Sequence, residues 1–145
     1  MTETPKILKL KSGSIYEEKR SYSRAVCIGD WILLANTAGR NYKTRFMSTD
    51  PAEQTRQCLA NIEGALAAVD ATLADVVRSR ISIPYTEHKD AVMDVVAEAF
   101  RGIDPVTTIT ACPLASPEYI VEIEITAYRG ASTADVEKKV VNLGA

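Results

Sequence analysis

The chain has 145 residues, 46% hydrophobic and 25% charged, which suits one globular domain over residues 1–145 and excludes a disordered chain. Seventeen basic against nineteen acidic residues leave a net charge of -2, and no Lys/Arg run is dense enough to track phosphates, so no nucleic acid partner is expected. Three cysteines without CxxC spacing and one histidine, His88, suggest neither a metal site nor a disulfide framework, and no apolar run approaches the roughly 20 residues of a membrane span.

Taken in chain order, Ile7 to Lys11 alternates apolar and basic residues, as an edge strand does. Ala25 to Asn36 (AVCIGDWILLAN) reads as two strands joined by a tight Gly29-Asp30 hairpin, and the polar AGRNYKTRFMST that follows is a loop. At Asp50 an N-cap residue, Pro51 at the first helical position and Glu53 three residues after the cap coincide. Thr55, Leu59, Ile62, Leu66 and Val69 then mark one apolar stripe on a helix over 51–69.

Val76 to Pro84 is a predicted strand with Val77, Ser79, Ile81 and Ile83 on one face and Arg78, Arg80 and Ser82 on the other. A second helix runs from about Glu87 to Phe100 on Val92, Val95, Val96 and Ala99, and Gly102 stops it. Val106 to Cys112 and Tyr119 to Tyr128 are strands joined by the turn-rich PLASP. The tail STADVEKKVVNLGA reads as a short helix capped by Ser132 or Thr133. Cys27, Cys58 and Cys112 read as small core residues in a reducing compartment, and MTETPKILKLKSG has no apolar leader; the expected location is the cytoplasm.

The order is therefore β-β-β-α-β-α-β-β, an α+β domain. Each helix is expected to join parallel neighbours of one sheet by a right-handed crossover, so both helices land on one face. The other face is bare, yet its strands carry apolar residues, Leu33, Ile109 and Ile120 among them, which suits a subunit interface. In the last strand Val121, Ile123, Ile125 and Ala127 form the set that meets the helices. Glu122, Glu124 and Thr126 then face the bare side, toward solvent or a neighbouring subunit. A carboxylate half-buried in such a cleft has a raised pKa and can accept a proton or position a water.

The segments SYSRAVCIGDWILLAN, DPAEQTRQCLANIEGAL, LADVVRSRI and PVTTITACPLASPEYIVEIEITAY together resemble the RidA/YjgF family, from about Tyr22 to Tyr128. The resemblance implies a chorismate-mutase-like, ferredoxin-like subunit with one mixed sheet and two helices on one face. It implies a homotrimeric barrel with three clefts between subunits. Members hydrolyse enamines and imines such as 2-aminoacrylate, with no metal and no organic cofactor, so the implied partners are a small-molecule metabolite and two further copies of the chain.

The resemblance also carries residue roles. The family's carboxylate-binding arginine, two residues after the proline opening the fifth strand, is replaced here by Thr107. Glu122 falls on the glutamate that positions the hydrolytic water, Tyr22 on the cleft tyrosine and Ile109 on a position often held by cysteine. The cleft serine corresponds to Ala35, with Asn36 beside it. Hydrolysis would rest on Glu122 with Tyr22 or Thr107. Arg40 or Arg24 either supplies the missing charge or is a solvated surface arginine; the alternative is a substrate without an α-carboxylate. A second reading is a trimeric module that binds a small metabolite or a partner without catalysis. Glu124 is expected at the interface or in solvent, Trp31 and Tyr119 are expected to pack, and ribonuclease activity is disfavoured by the acidic balance and by a lone His88 at a helix start.

Overall fold

The Gly29-Asp30 hairpin forms as its sequence dictates, with Ile28 paired to Trp31 across two residues and Gly29 at φ 58°. Around it the computed structural model, which describes residues 3–144, builds one six-stranded sheet. The strands are β1 (Ile7–Leu10), β2 (Ala25–Ile28), β3 (Trp31–Ala38), β4 (Val76–Ser82), β5 (Val106–Thr110) and β6 (Glu122–Tyr128). Their spatial order is β1-β2-β3-β6-β4-β5, and only β4 and β5 run parallel. Three helices join them: α1 (Ile15–Arg20), α2 (Pro51–Ala67) and α3 (Lys89–Ala99).

Helix α2 starts where expected. Asp50 Oδ2 accepts the Glu53 amide at 2.9 Å, while the Glu53 carboxylate pairs with Arg56 instead of completing a capping box. Its buried residues Thr55, Cys58, Leu59, Ile62 and Leu66 lie over one sheet face and beside α3, which buries Val92, Val95 and Val96. From below, Ile32, Leu34, Ile81, Ile123 and Ile125 meet them, each fully buried isoleucine or leucine contributing about 1.5–3 kcal/mol.

Several elements differ from the sequence reading. Only α3 joins parallel neighbours; β3 and β4, linked through α2, have β6 between them, antiparallel to both. Burial explains this, because Val121, Ile123, Ile125 and Ala127 are all but fully covered and belong at the sheet's centre. A register shift between Val76 and Arg78 turns Val76 inward and leaves Val77 half-buried, so the inward set is Val76, Ser79 and Ile81. Ile120, expected on the bare face, is buried in the core ahead of β6. Helix α1 was not expected: six residues are too few for a periodic signal, but the Ser14 hydroxyl caps it by accepting the Tyr16 amide.

The expected C-terminal helix is replaced by one 3-10 turn, Ala131–Thr133, held by Asp75 Oδ1, which accepts the Ser132 amide at 2.8 Å. Beyond it Val136, Val140, Val141 and Leu143 stay exposed, with no packing partner to pay the entropy of a helix. Cys27 and Cys58 are buried as expected, Cys112 half-buried, and all three are free thiols. No helix among the described residues is long and apolar enough to cross a membrane.

The helix-free face carries Leu33 at 46% exposure, Trp31 edge-on to Tyr128 at 5.0 Å, and Arg80 paired with Glu124 at 3.8 Å. Trp31 therefore packs, but on the outside. Among the described residues no layer covers this mixed apolar and charged face.

Candidate functional site

At the end of the sheet where β3 leaves and β6 begins, a pocket of about 140 Å³ opens above Glu122. Glu122 pairs with Ala38 on one side and Ser82 on the other, which fixes its backbone at the first rung of β6. The strand's alternation turns the carboxylate away from the helices, and it is half-buried. Burial pushes its pKa up, partly opposed by the Arg24 guanidinium. On the other side of the sheet, burial and then the Glu122 charge push the Cys58 thiol up as well, so it stays protonated and donates to the Thr37 carbonyl at 3.0 Å.

A bulge shapes the opposite wall. The β3–β6 register shifts between Leu34 and Thr37, which buries Thr37 and re-aims Asn36 into the pocket lining. Arg24, 9% exposed, holds this bulge: its Nη1 donates to the Asn36 carbonyl at 3.2 Å and to Thr37 Oγ1 at 3.4 Å. Its Nε donates to Glu17 Oε2 at 3.4 Å, and its guanidinium lies 5.8 Å from the Tyr22 ring centre. Glu17, 1% exposed, also accepts the Ser12 amide at 2.8 Å and the Ser12 hydroxyl. Burial alone would raise its pKa, but the Ser12 hydrogen bonds and Arg24 outweigh that and lower it. Arg24 is thus a buried structural cation, not a solvated surface arginine.

The third wall is the loop after β3. Asn41 Oδ1 accepts the amides of Lys43 and Thr44, Arg45 closes the turn at φ 67°, and Arg40 bridges to Met47. Arg40 donates to the Arg45 carbonyl at 2.8 Å and pairs with Glu118. Gly39 is required where the loop leaves: a Cβ there would stand 2.1 Å from the Gln54 carbonyl oxygen.

Of the residues singled out from sequence, Tyr22, Asn36, Arg40 and Glu122 share this pocket, with Arg24 behind them. Ala35 sits in the bulge and does not line it. Thr107 and Ile109 lie elsewhere. Thr107 is in register with buried Ser79, bonded to it through the hydroxyls at 2.8 Å, and Ile109 is in register with buried Ile81. Both therefore stand on the helix-bearing side, at the open edge of β5, whereas Glu122 points to the other side. His88 packs edge-on to Tyr85 at 6.2 Å, away from the pocket. Among the described residues no cluster of His, Cys, Asp or Glu could hold a metal.

Sequence reasoning missed Tyr16, Tyr42, Arg45 and Tyr119 in the pocket, Tyr119 having been expected to pack. Tyr16 stands on the six-residue α1 and the other three in loops, none of which carries a periodic signal. It also missed Gln54, fully buried, whose Nε2 donates to the Ser48 and Glu118 carbonyls while its Oε1 accepts the Ile120 and Val121 amides.

Comparison with known proteins agrees on the type of chain. The sequence profile of the family described as endoribonuclease L-PSP matches residues 15–129. A crystal structure of a YjgF/YER057c/UK114 family member from Mycobacterium tuberculosis is 41% identical, with a TM-score of 0.77, covering 85% of this chain and 99% of that one. A YjgF family protein from Neisseria meningitidis is 28% identical at a TM-score of 0.72, covering 86% and 95%. A protein of Dermatophagoides farinae named 2-iminobutanoate/2-iminopropanoate deaminase is 30% identical over 104 residues, 71% of this chain and 81% of its own.

Proposed function

We propose, from the premise that this chain belongs to the endoribonuclease L-PSP family, also called RidA/YjgF, that it hydrolyses small reactive imines or enamines to the carbonyl compound and ammonia. The observation that carries this reading is the half-buried Glu122 carboxylate, with its raised pKa, in a pocket beside Tyr22. Such a carboxylate is a better general base near neutrality than an exposed one. The relative from Dermatophagoides farinae, named for imine deamination, supports the reaction class.

The chemistry needs little beyond position. Glu122 takes a proton from water as the oxygen attacks the imine carbon and the C=N electron pair moves to nitrogen. With the imine entering in its protonated form, the product is a neutral carbinolamine, which collapses in turn: Glu122 returns its proton to the nitrogen, the C–N bond breaks with its electron pair leaving on ammonia, and the hydroxyl proton passes to the Glu122 carboxylate as the C=O bond forms, to be lost to solvent. Tyr22 supplies a hydroxyl at the pocket wall that can hydrogen-bond the reacting nitrogen or oxygen.

The working form in this reading is a homotrimer joined through the helix-free sheet face, with each cleft completed by a neighbour. The exposed Leu33 and Trp31 support it. In such a trimer Thr107 and Ile109, which lie outside the chain's own pocket, would enter a cleft only from the open edge of a neighbouring subunit's β5. Thr107, uncharged where the family arginine sits, alters substrate preference.

The test is hydrolysis of freshly generated 2-aminoacrylate and a panel of other imines by the native protein, Thr107→Arg and Glu122→Ala. Turnover above the buffer rate, lost in Glu122→Ala and shifted toward 2-aminoacrylate in Thr107→Arg, is expected. No imine turned over faster than buffer overturns hydrolysis and favours a trimeric small-metabolite-binding module, for which the uncharged Thr107 is the supporting feature.

A further inference from the structure

We infer that Arg24 is a positioning residue of the Glu122 pocket: it fixes the strand bulge that forms one wall and keeps an immobile positive charge beside the carboxylate. The inference rests on reading Glu122 as the proton acceptor, and it gives Arg24 a role that acts through Glu122 and Tyr22, without contact to the substrate.

Arg24 clamps the bulge through backbone and side chain together. Its carbonyl accepts the Ala35 amide at 2.9 Å and its amide donates to the Leu10 carbonyl at 2.8 Å, which keeps it in the ladder where β1, β2 and β3 meet. Nη1 then reaches past Ala35 to the Asn36 carbonyl and Thr37 Oγ1, while the Thr37 hydroxyl donates back to the Ala35 carbonyl at 2.8 Å. Thr37 is in register with Ile123 and Ala38 with Glu122, so the bulge ends on the rung that carries the carboxylate. The same guanidinium lies 5.8 Å from the Tyr22 ring centre. One planar fork thus holds the Asn36 wall and the Tyr22 ring in place; a lysine ammonium, a point charge on a flexible stem, cannot serve Glu17, Asn36 and Thr37 at once.

The charge is placed as deliberately as the fork. Glu17, which anchors Nε, is 1% exposed and is not part of the pocket lining, whereas Arg24 is. The counter-ion therefore sits behind the guanidinium, and the pocket meets the positive end first. The other ionisable groups around Glu122 do not replace it. Arg40 is engaged by Glu118, and Arg45 rides on the loop after β3. The tyrosines of the lining are uncharged near neutrality. Along the strand Glu124 pairs with Arg80, and through the sheet Cys58 is a protonated thiol. Burial drives Glu122 toward its protonated form and Arg24 opposes it, so without Arg24 the carboxylate would hold its proton to higher pH and serve as a base over a narrower range.

The test is a pH titration of the Glu122 side-chain carboxyl by carbon NMR on the full chain, its resonance identified by its loss in Glu122→Gln, with imine hydrolysis followed over the same pH range. It is run on the native protein, Arg24→Lys, Arg24→Gln and the double variant Glu17→Gln/Arg24→Gln, which replaces both ions by amides and so leaves no buried charge unpaired. Arg24→Gln and the double variant are expected to raise the Glu122 midpoint by about half a pH unit or more and to carry the rising limb of hydrolysis with it. Arg24→Lys keeps the charge without the fork: the midpoint should move less than half as far, while the rate falls by on the order of tenfold as the bulge shifts. A midpoint that stays put in both glutamine variants, or moves equally in Arg24→Lys and Arg24→Gln, overturns the assignment, because loosened packing alone acts on all the variants alike. A native rate in Arg24→Lys overturns it too, since the fork would then hold nothing the site needs. Moved midpoints with no imine hydrolysed keep Arg24 as the group that sets Glu122 and overturn hydrolysis; imines hydrolysed by Arg24→Gln at the native rate and pH dependence do the reverse.

Discussion

Gln54 Oε1 accepts the backbone amide of Ile120 at 2.7 Å, tying the second turn of α2 to the segment that leads into β6. Because the same side chain also accepts from Val121 and donates to the Ser48 and Glu118 carbonyls, one buried amide fixes both loops that flank the pocket. Gln54→Leu keeps the volume but leaves those groups without partners, and each buried unsatisfied group costs about 1–3 kcal/mol. The variant should lose about 3 kcal/mol or more in urea unfolding. A loss under 1 kcal/mol would mean that water replaces the amide and that Gln54 does not set the loops.

Gly39 tests the same junction from the other side. A methyl group there would stand 2.1 Å from the Gln54 carbonyl oxygen and 2.7 Å from its Cγ, too close to coexist. Gly39→Ala must push β3 and α2 apart, and overpacking of this kind costs about 1–3 kcal/mol. Ligand binding in the pocket should weaken along with stability, since Ala38, Arg40 and the loop beyond shift with the strand. Gly64→Ala is the control: nothing lies near its Cβ position, so the helix should gain slightly.

The Glu17–Arg24 pair should show itself in pH dependence. Glu17 has its pKa lowered in the fold, so its contribution to stability is fully present above its ordinary value of 4.5 and is lost as pH falls through the lower folded value. Glu17→Gln leaves Arg24 buried without a counter-charge, at about 3–5 kcal/mol for a pair of this kind. The gap between native and variant should be largest near neutrality and narrow below pH 4.5. A gap that does not change with pH would mean that Glu17 acts by packing alone.

Much of the sheet was legible because its pattern is local. The hairpin, the α2 cap and the alternation of β6 each follow from a few adjacent residues, and the side of the sheet on which Glu122 lies was correct for that reason. What escaped was non-local. That β6 inserts between β3 and β4 depends on which strand is most completely buried, a property of the assembled layers. The roles of Gln54, Glu17 and Arg24 depend on partners 66, 5 and 12 positions away, and a buried polar side chain looks in sequence like an exposed one. Thr107 shows the limit of reading a site by position alone, since its match to a family motif does not place it in the pocket of its own chain.

Leu33 offers the direct test of assembly. At 46% exposure in the middle of the helix-free face, a leucine in a monomer would be tolerant of charge. In the proposed trimer it is an interface residue, and burying an unpaired carboxylate there is costly. Leu33→Asp should run as a monomer in light scattering at concentrations where the native chain runs as a trimer, with its circular dichroism unchanged. A native chain that is itself monomeric would sink the proposed assembly.

The Glu122 carboxylate makes the sharpest prediction because its sign is opposite to that of Glu17. Burial raises its pKa above the ordinary 4.5, with Arg24 opposing, so the folded state holds this proton more tightly than the unfolded chain does. Stability from this group is therefore greatest at low pH and declines as pH rises from 4.5 through the folded value. Glu122→Gln cannot ionise, so the stability difference between variant and native should grow in the variant's favour across that window and then level off. If Glu122 is also the proton acceptor, the native rate of imine hydrolysis should rise with pH over the same window, and Glu122→Gln should lose that limb together with about 10²–10⁴-fold of the rate. A flat stability profile would place the carboxylate in solvent and one of opposite slope in a strong ion pair, and neither environment would leave it fit to take a proton from water near neutrality.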